Sequence, residues 1–213
     1  MDGLLLNTER DVWMVGGKKI AKEFGIDLTD DFIINIVGLG FGVYKERLKE
    51  TYGQDFPSDL YMEKLFNYFQ NVCINEKIPL RPGVKELLDF LKKNNILISV
   101  ATSTNKYLAE NALKNSEIFN YLDFGIYGDQ VTKPKPDPEI YNKSIEHFGF
   151  NKDDCFIFED GQAGAKAAYS AGIKLVLVPD LTKPSELDKQ NAFIILKTID
   201  EIIPIIKKLN NIK

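Results

Sequence analysis

The sequence predicts an α/β fold, in which helices cover a parallel β-sheet, together with a separate all-helical segment. From Pro79 onward, segments with helical spacing of apolar residues alternate with short β-branched runs, as in consecutive βα units. These runs are almost continuously apolar, which is typical of strands covered on both faces. Residues 11–78 contain helix-like stretches and no convincing strand. The proline- and glycine-containing turn at residues 79–83 therefore marks the predicted boundary between the two parts.

Five strands are predicted in the α/β part. They cover residues 96–101, 124–127, 155–158, 175–178 and 193–196. Between them, apolar residues spaced three or four apart indicate helices. The same spacing predicts helices ahead of Pro79, near residues 12–24, 32–37 and 60–72. These apolar stripes are expected to form cores rather than ligand sites.

Composition and charge exclude several classes of partner. The formal net charge is −4, and lysines alternate with acids on the predicted helices, so no basic surface for nucleic acid is expected. No apolar run approaches the ~20 residues that cross a bilayer, and no basic region precedes the short apolar stretch at the N-terminus. Cys73 and Cys155 are too few for a disulfide framework. We expect a cytoplasmic protein, monomeric or weakly dimeric, without a nucleic acid or membrane partner.

Four polar segments flank or follow predicted strands. They lie at residues 2–9, 102–105, 133–137 and 159–164. In an open parallel sheet, ligands collect outside the carboxyl ends of the strands, so residues far apart in sequence can converge there. The four segments are therefore candidates for a single site.

Two of these segments can be explained with or without a bound anion. Thr102 and Ser103 follow a predicted strand, where hydroxyls commonly cap the next helix. A strand-to-helix turn also offers free N–H groups that can hold a phosphate. Lys133 lies between prolines and can be an exposed turn residue, but the same rigidity suits a lysine held near an anion.

The carboxylates of Glu159 and Asp160 directly follow an apolar strand. Adjacent carboxylates in such a place require water, a paired cation or a metal ion. Mg²⁺ favours one or two carboxylates together with waters and phosphate oxygens, which fits this pair. The alternative is that Asp160 caps the helix that follows.

Taken in order, the four segments resemble the motifs of the haloacid dehalogenase superfamily, in particular its β-phosphoglucomutase-like and phosphoglycolate-phosphatase-like branch with a helical cap. MDGLLLNTE is similar to the first motif, ATSTN to the second, the lysine of TKPKPD to the third and FEDGQAG to the fourth. The resemblance covers essentially the whole chain. It implies a Rossmann-like three-layer parallel-sheet core formed by residues 1–10 and 79–213, and an all-helical cap insert formed by residues 11–78.

The resemblance also implies an activity and a set of site residues. The implied enzyme is an Mg²⁺-dependent phosphatase of a small phosphorylated metabolite, such as a sugar phosphate. Asp2 is the implied general acid and base, Thr102 and the backbone around Ser103 hold the phosphoryl oxygens, and Lys133 neutralises charge. The implied magnesium ligands are the backbone carbonyl of Asp2 and the carboxylates of Glu159 and Asp160. These roles suit phosphoryl transfer, which depends on positioning and charge neutralisation.

The family's nucleophile is an aspartate two residues before the general acid, and Met1 occupies the position between them. The nucleophile and its strand are therefore expected just upstream of Met1, in a working protein longer by roughly seven to ten residues. Because that strand lies in the middle of the family's sheet, its loss would leave two unpaired edges.

Other functions remain open at this stage. A sugar-phosphate mutase would share the chemistry, and Lys45 and Arg47 could reach a second phosphate in such an enzyme or form ordinary surface pairs. The glycine-rich residues 38–42 fit either a flexible cap loop facing the site or a tight turn between helices. A catalytically inactive relative that binds a phosphorylated ligand or a partner is the alternative from another class.

Overall fold

The computed structural model describes residues 1–37 and 39–212. Five short strands form the sheet layer: β1 (Ser99–Ala101), β2 (Phe124–Ile126), β3 (Phe156–Glu159), β4 (Lys174–Leu177) and β5 (Ile194–Ile195). Strand β1 pairs with β2, β3 with β4, and β4 with β5, all in parallel. Each strand lies within or beside a predicted one, although most are shorter.

The helical segment precedes these strands. It contains a π-helical turn (Glu9–Met14), α1 (Val15–Glu23), α2 (Asp30–Ile34), α3 (Phe41–Tyr52) and α4 (Ser58–Asn75). The helices that alternate with the strands are α5 (Val84–Lys93), α6 (Lys106–Asn115), α7 (Glu139–Phe148), α8 (Gln162–Ala171), α9 (Glu186–Asn191) and α10 (Ile203–Leu209). Short 3-10 turns occur at Phe119–Tyr121, Gly128–Gln130, Lys152–Asp154 and Ile199–Ile202.

Alternate strand residues enter apolar clusters on opposite faces of the sheet, because successive side chains of a strand point to opposite sides. Val176 of β4 packs in one cluster with residues of α5, α6 and α10, whereas its neighbours Leu175 and Leu177 pack in another with residues of α7 and α8. The sheet layer therefore has helices on both faces. This arrangement confirms the predicted α/β fold class.

The helical segment has an apolar cluster of its own. Ile20, Ile33, Leu48 and Leu65 come from α1 to α4 and pack together, away from the strands. Tyr61 is fully buried among them, and its hydroxyl donates a hydrogen bond to the carbonyl of Gly17 at 3.0 Å. The chain can thus bury one stripe of each of these helices without using the sheet.

The chain leaves and re-enters the α/β part through two adjacent linkers. The N–H of Asn7 donates to the carbonyl of Pro79 at 2.8 Å, Leu6 pairs with Leu80 in an antiparallel bridge, and the N–H of Arg81 donates to the carbonyl of Leu5 at 2.9 Å. The two linkers are therefore held together at the base of the helical segment.

An apolar groove separates β1 from β3, whose facing edges do not pair with each other in the described residues. The groove has a volume of about 290 Å³, and its lining includes Met1 and residues from both strands. The sheet layer thus consists of a two-stranded part and a three-stranded part with apolar side chains between them.

Two sequence expectations for the helical segment can be compared with the structure. Gly38 lies outside the described residues; Gly40 immediately precedes α3 and Gly42 lies in its first turn. Lys45 and Arg47 form ion pairs with Asp59 at 2.8 Å and Glu50 at 3.1 Å, respectively. Across the described part of the chain, no helix is both long enough and apolar enough to span a bilayer.

Candidate active site

The carboxylate of Asp2 is held by hydroxyls that follow β1. Thr104 donates from Oγ1 to Asp2 Oδ2 at 2.8 Å, and Thr102 donates from Oγ1 to the same oxygen at 3.3 Å. Thr102 is buried, and its N–H extends the sheet by donating to the carbonyl of Ile126 at 3.1 Å. The other oxygen, Asp2 Oδ1, is buried without a hydrogen-bond partner in the described residues. Asp2 is thus oriented through one oxygen and keeps the other for a ligand.

In the segment of residues 102–105, helix α6 is not capped by Thr102 or Ser103. The N-cap of α6 is Asn105, whose side chain accepts a hydrogen bond from the N–H of Leu108 at 3.0 Å. Thr102 therefore does not cap α6, which was one of the two roles that the sequence allowed. Thr104 also contacts Asp2, and the sequence did not predict that contact. Ser103 is exposed beside them, at the turn that leads into α6.

The first and fourth segments meet at Gly3. This residue has a φ of +69°, and its N–H donates to Thr8 Oγ1 at 3.0 Å. A Cβ atom at Gly3 would lie 2.2 Å from Asp160 Oδ2. Glycine at this position therefore allows both the left-handed backbone conformation and the close approach of Asp160 to the turn that carries Asp2.

The structure corrects the expectation for the third segment. The Lys133 side chain is 72% exposed, and its ammonium lies 3.9 Å from Asp137 rather than at the site. Lys135 is instead 10% exposed, and its Nζ donates to Glu159 Oε1 at 2.6 Å and to the carbonyl of Ala101 at 3.2 Å. Lys135 thus connects the end of β1 to the end of β3, where Lys133 was expected to act.

A signal for Lys135 was present in the sequence. The stretch TKPKPDP contains two overlapping Lys-Pro-X-Pro patterns, and the second leads directly into α7. In that helix Tyr141 is buried, and its ring centre lies 4.9 Å from Lys135 Nζ. Of the two matches to the pattern, the lysine closer in sequence to α7 is the one that reaches the site. The first match, Lys133, is not.

Glu159 is the most completely enclosed carboxylate of the site. Besides Lys135, it accepts hydrogen bonds from the hydroxyl of Tyr141 and, through Oε2, from the N–H of Asp160 at 3.3 Å. Burial is the largest single influence and raises the pKa of Glu159. The charges of the Lys135 ammonium and the N-terminal amine, together with the hydrogen bonds from Lys135 and Tyr141, outweigh it and keep the pKa below its ordinary value. Glu159 is therefore a charged, paired carboxylate.

Asp160 and Glu9 differ from Glu159, because their pKa values are raised rather than lowered. Burial, reinforced by the charge of Glu159, raises the pKa of Asp160 to about 7. Burial and the charge of Asp160 raise the pKa of Glu9 to about 8. Asp160 does not cap α8, since the N-cap is Gly161. These carboxylates form no ion pair with a lysine or arginine within the described residues, so no directly bonded cation offsets the burial of their ionised forms.

The donor set of this cluster fits a hard divalent cation. The Asp160 carboxylate and nearby backbone carbonyls, such as that of Asp2, supply oxygen atoms, which are the ligands that Mg²⁺ prefers. No group of three or more His, Cys, Asp or Glu side chains is arranged to hold a metal within residues 1–37 and 39–212. Mg²⁺ does not require such a group, because it retains several waters and uses substrate oxygens. A cation here would also offset the burial and the charge of Glu159, which together raise the pKa of Asp160.

Comparison with known proteins gives a consistent result. Residues 1–178 match the model of the haloacid dehalogenase-like hydrolase family. The phosphorylated carbohydrates phosphatase of Thermotoga maritima is 30% identical over 98% of this chain and 96% of its own length. A Saccharomyces cerevisiae protein assigned as a pseudouridine-5′-phosphatase is 31% identical over 84% of this chain and 80% of its own. A Thermotoga maritima crystal structure assigned as a β-phosphoglucomutase superimposes with a TM-score of 0.80 and 27% identity, covering 98% of this chain and 96% of that one.

Proposed function

The chain belongs to the haloacid dehalogenase-like hydrolase family, and we propose that it is a magnesium-dependent phosphatase of a small phosphorylated metabolite, such as a sugar phosphate. The observation that carries this proposal is the convergence of Asp2, Lys135, Glu159 and Asp160 where β1 and β3 end. Relatives named for phosphorylated carbohydrates and for a nucleoside phosphate support a small phosphate monoester as the substrate class.

In the proposed reaction, an aspartate directly preceding Met1 attacks the phosphorus and forms an aspartyl-phosphate while the bond to the leaving oxygen breaks. Asp2 donates its proton to that oxygen and later removes a proton from the water that attacks the phosphoenzyme. That attack breaks the bond between phosphorus and the nucleophilic aspartate, which regenerates its carboxylate and releases inorganic phosphate. The hydrogen bonds from Thr102 and Thr104 fix Asp2 Oδ2 and leave Oδ1, which has no hydrogen-bond partner in the described residues, for the proton transfer. This division of roles requires Asp2 to be protonated in the first step and ionised in the second.

Phosphate binding is assigned to the turn after β1 and to one lysine. The Thr102 hydroxyl and the backbone around Ser103 would contact phosphoryl oxygens near the start of α6. Lys135, rather than the exposed Lys133, would neutralise their charge, because only Lys135 reaches the end of β3. Its bond to Glu159 keeps the ammonium in place before substrate arrives.

The proposed magnesium ligands are the backbone carbonyl of Asp2 and the carboxylate of Asp160. Glu159, the other ligand expected from the sequence, accepts hydrogen bonds from Lys135, Tyr141 and the Asp160 N–H, so we assign it to holding Lys135 beside the ion. Bound Mg²⁺ would supply positive charge to the phosphoryl oxygens. Asp160 must be ionised to bind it, so binding should release a proton below about pH 7. We assign residues 1–10 and 79–213 to the core that carries these groups, and residues 11–78 to a cap that covers them and contacts the rest of the substrate.

The proposal is tested by measuring phosphate release from a panel of sugar phosphates and nucleoside monophosphates, using the chain with an apolar segment and an aspartate placed directly before Met1. We expect Mg²⁺-dependent release that is lost with a chelator and in Asp160→Asn. Lys93→Gln, which changes an exposed lysine in the last turn of α5, ahead of β1 rather than after a strand, serves as the control. If no substrate releases phosphate but the protein still binds inorganic phosphate, the alternative of a catalytically inactive binding protein is favoured.

Product identity separates phosphatase from mutase. A phosphatase yields inorganic phosphate, whereas a mutase yields an isomeric sugar phosphate. In this structure Lys45 and Arg47 are engaged by Asp59 and Glu50, which favours the phosphatase because neither cation is reserved for a second phosphate. Conversion of a sugar 1-phosphate into its 6-phosphate without net phosphate release would identify the mutase instead.

A further inference from the structure

Asp180 lies in the loop after β4 and contacts both linkers between the α/β part and the helical segment. Its Oδ1 accepts from Arg10 Nε at 2.9 Å and forms an ion pair with Arg81 Nη1 at 2.8 Å. The Asp180 side chain is only 2% exposed. One buried carboxylate oxygen therefore joins two arginines that are far from it, and from each other, in sequence.

The two arginines occupy corresponding places in the linkers. Arg10 lies in the π-helical turn through which the outgoing chain enters α1, just beyond the bridge of Leu6 with Leu80. Arg81 lies in the returning chain, and its N–H is bonded to the outgoing linker at Leu5. A large rotation of the helical segment about these linkers would therefore break at least one of the two arginine contacts with Asp180.

We infer that Asp180 is a hinge-positioning residue, which fixes the orientation of the helical segment over the carboxylate cluster by anchoring both linkers to the loop after β4. This role concerns the orientation of the helical segment relative to the α/β part and does not depend on which substrate is used. Only its expected effect on KM rests on the proposed function.

The two contacts differ in a way that suits a hinge. Arg81 is 15% exposed, whereas Arg10 is 47% exposed, so the Arg81 contact is the more permanent and the Arg10 contact the more easily broken. Asp180 Oδ2 is buried without a hydrogen-bond partner in the described residues. Because a carboxylate can accept several bonds, Oδ2 can receive a guanidinium N–H as Arg10 shifts, and the pair can persist through a small rotation.

The hinge is coupled to the site through the residue before Arg10. Glu9 begins the same π-helical turn, and its Cγ lies 3.2 Å from the position of a Cβ at Gly3, beside Asp160. A displacement of Arg10 therefore moves Glu9 relative to the carboxylate cluster. The orientation of the helical segment and the arrangement of the site are thus changed together.

Hydrogen exchange tests the hinge without any assay of activity. Arg10→Gln removes the half-exposed contact and leaves Asp180 paired with Arg81, so the fold should persist; Asp180→Asn removes the charge that both arginines share. We expect linker amides in residues 5–11 and 79–83 to exchange about three- to tenfold faster in both variants, with recovery in Arg10→Lys. The matched control is Glu23→Gln, which breaks the 2.6 Å pair with Lys64 inside the helical segment.

Two results would overturn the hinge role. One is unchanged linker exchange in Arg10→Gln; the other is equal acceleration in β4 and α8, which would show general destabilisation. In kinetics, we expect Arg10→Gln to raise KM for the metabolite about three- to tenfold, because the oriented state is less populated, and to leave kcat within about twofold. For para-nitrophenyl phosphate, which makes few contacts with a cap, Arg10→Gln should leave KM unchanged. A rise in this KM equal to the rise for the metabolite would contradict the hinge role.

Discussion

Lys133 and Lys135 stand two positions apart in one proline-rich segment, but their surroundings are opposite. Lys133 is exposed beside Asp137, whereas the buried Lys135 ammonium bonds to Glu159 and lies against the Tyr141 ring. A buried ion pair is sensitive to loss of one partner, because the remaining charge is left without compensation. The position of the ammonium, rather than the presence of a lysine in the motif, therefore determines which residue can act.

We expect Lys135→Met to lower kcat by about 10²- to 10³-fold, the effect of removing one preorganised charge from a phosphoryl-transfer site. Lys133→Met should stay within about twofold, because that side chain is already in solvent. Phosphate release at saturating substrate measures both. If Lys133→Met shows the larger loss, the assignment of the charge-neutralising role to Lys135 is wrong. Thermal unfolding of each variant separates this effect from loss of the folded protein.

The glycines at the start of α8 provide a second test at single residues. A Cβ on Gly164 would lie 2.1 to 2.3 Å from the Glu159 carboxyl group, whereas a Cβ on Gly161 would meet nothing within 4 Å. We expect Gly164→Ala to destabilise the protein by about 1–3 kcal/mol through overpacking and to reduce activity by displacing Glu159. Gly161→Ala is the matched control and should change neither by much. Equal unfolding midpoints for the two variants would contradict the packing described here.

At the scale of elements, the loop before α7 is fastened by the helix it precedes. Glu139, in the first turn of α7, accepts hydrogen bonds from the N–H and hydroxyl of Thr132 and from the N–H of Lys133, and pairs with Lys143 at 2.7 Å. The Lys143 ammonium and these donors lower the pKa of Glu139 to about 2. This anchoring holds one end of the segment that delivers Lys135 to the site.

Because the folded-state pKa of Glu139 is depressed, its contribution to stability is present above the unfolded value of 4.5 and is lost as the pH falls toward 2. We expect Glu139→Gln to lower the thermal unfolding midpoint at pH 7, and the difference from wild type to shrink between pH 4.5 and 2. Calorimetry over this pH range measures it. Glu146→Gln, an exposed change later on the same helix, is the control. A difference that is constant with pH would show that the anchoring is not electrostatic.

At the scale of the whole molecule, the sequence predicts what depends on local pattern and misses what depends on distant contacts. Apolar periodicity and β-branched runs located the five strands and placed the helical segment before residue 79. The polar segments that converge were also identified, because parallel strands present their ends on one edge. The link of Asp180 to Arg10 spans 170 residues, and no local pattern indicates such a pairing. The choice between Lys133 and Lys135 likewise depends on how α7 packs.

The groove between β1 and β3 has the shape and lining of a place for one more strand. Its lining includes residues 96–101 and 154–158, which comprise all of β1, most of β3 and the residues just before each strand. This is a length of roughly six residues at about 3.3 Å each. Met1 lies at the end where β1 leads into Thr102 and the Asp2 cluster. A segment joined to Met1 and lying in this groove would run toward that end, parallel to β1 and β3. It would bury apolar side chains and pair with both open edges.

We therefore expect an extension of about six β-branched apolar residues and an aspartate, placed before Met1, to raise the thermal unfolding midpoint and to protect the amides of β1 and β3 from hydrogen exchange. The control extension has proline at alternate positions, because proline cannot donate to a sheet. If both extensions stabilise equally, the gain comes from apolar contact alone and the groove is not a strand site. Protection confined to the proline-free extension would show that its backbone joins the two parts of the sheet, which would place its final aspartate beside Asp2, Lys135 and Asp160.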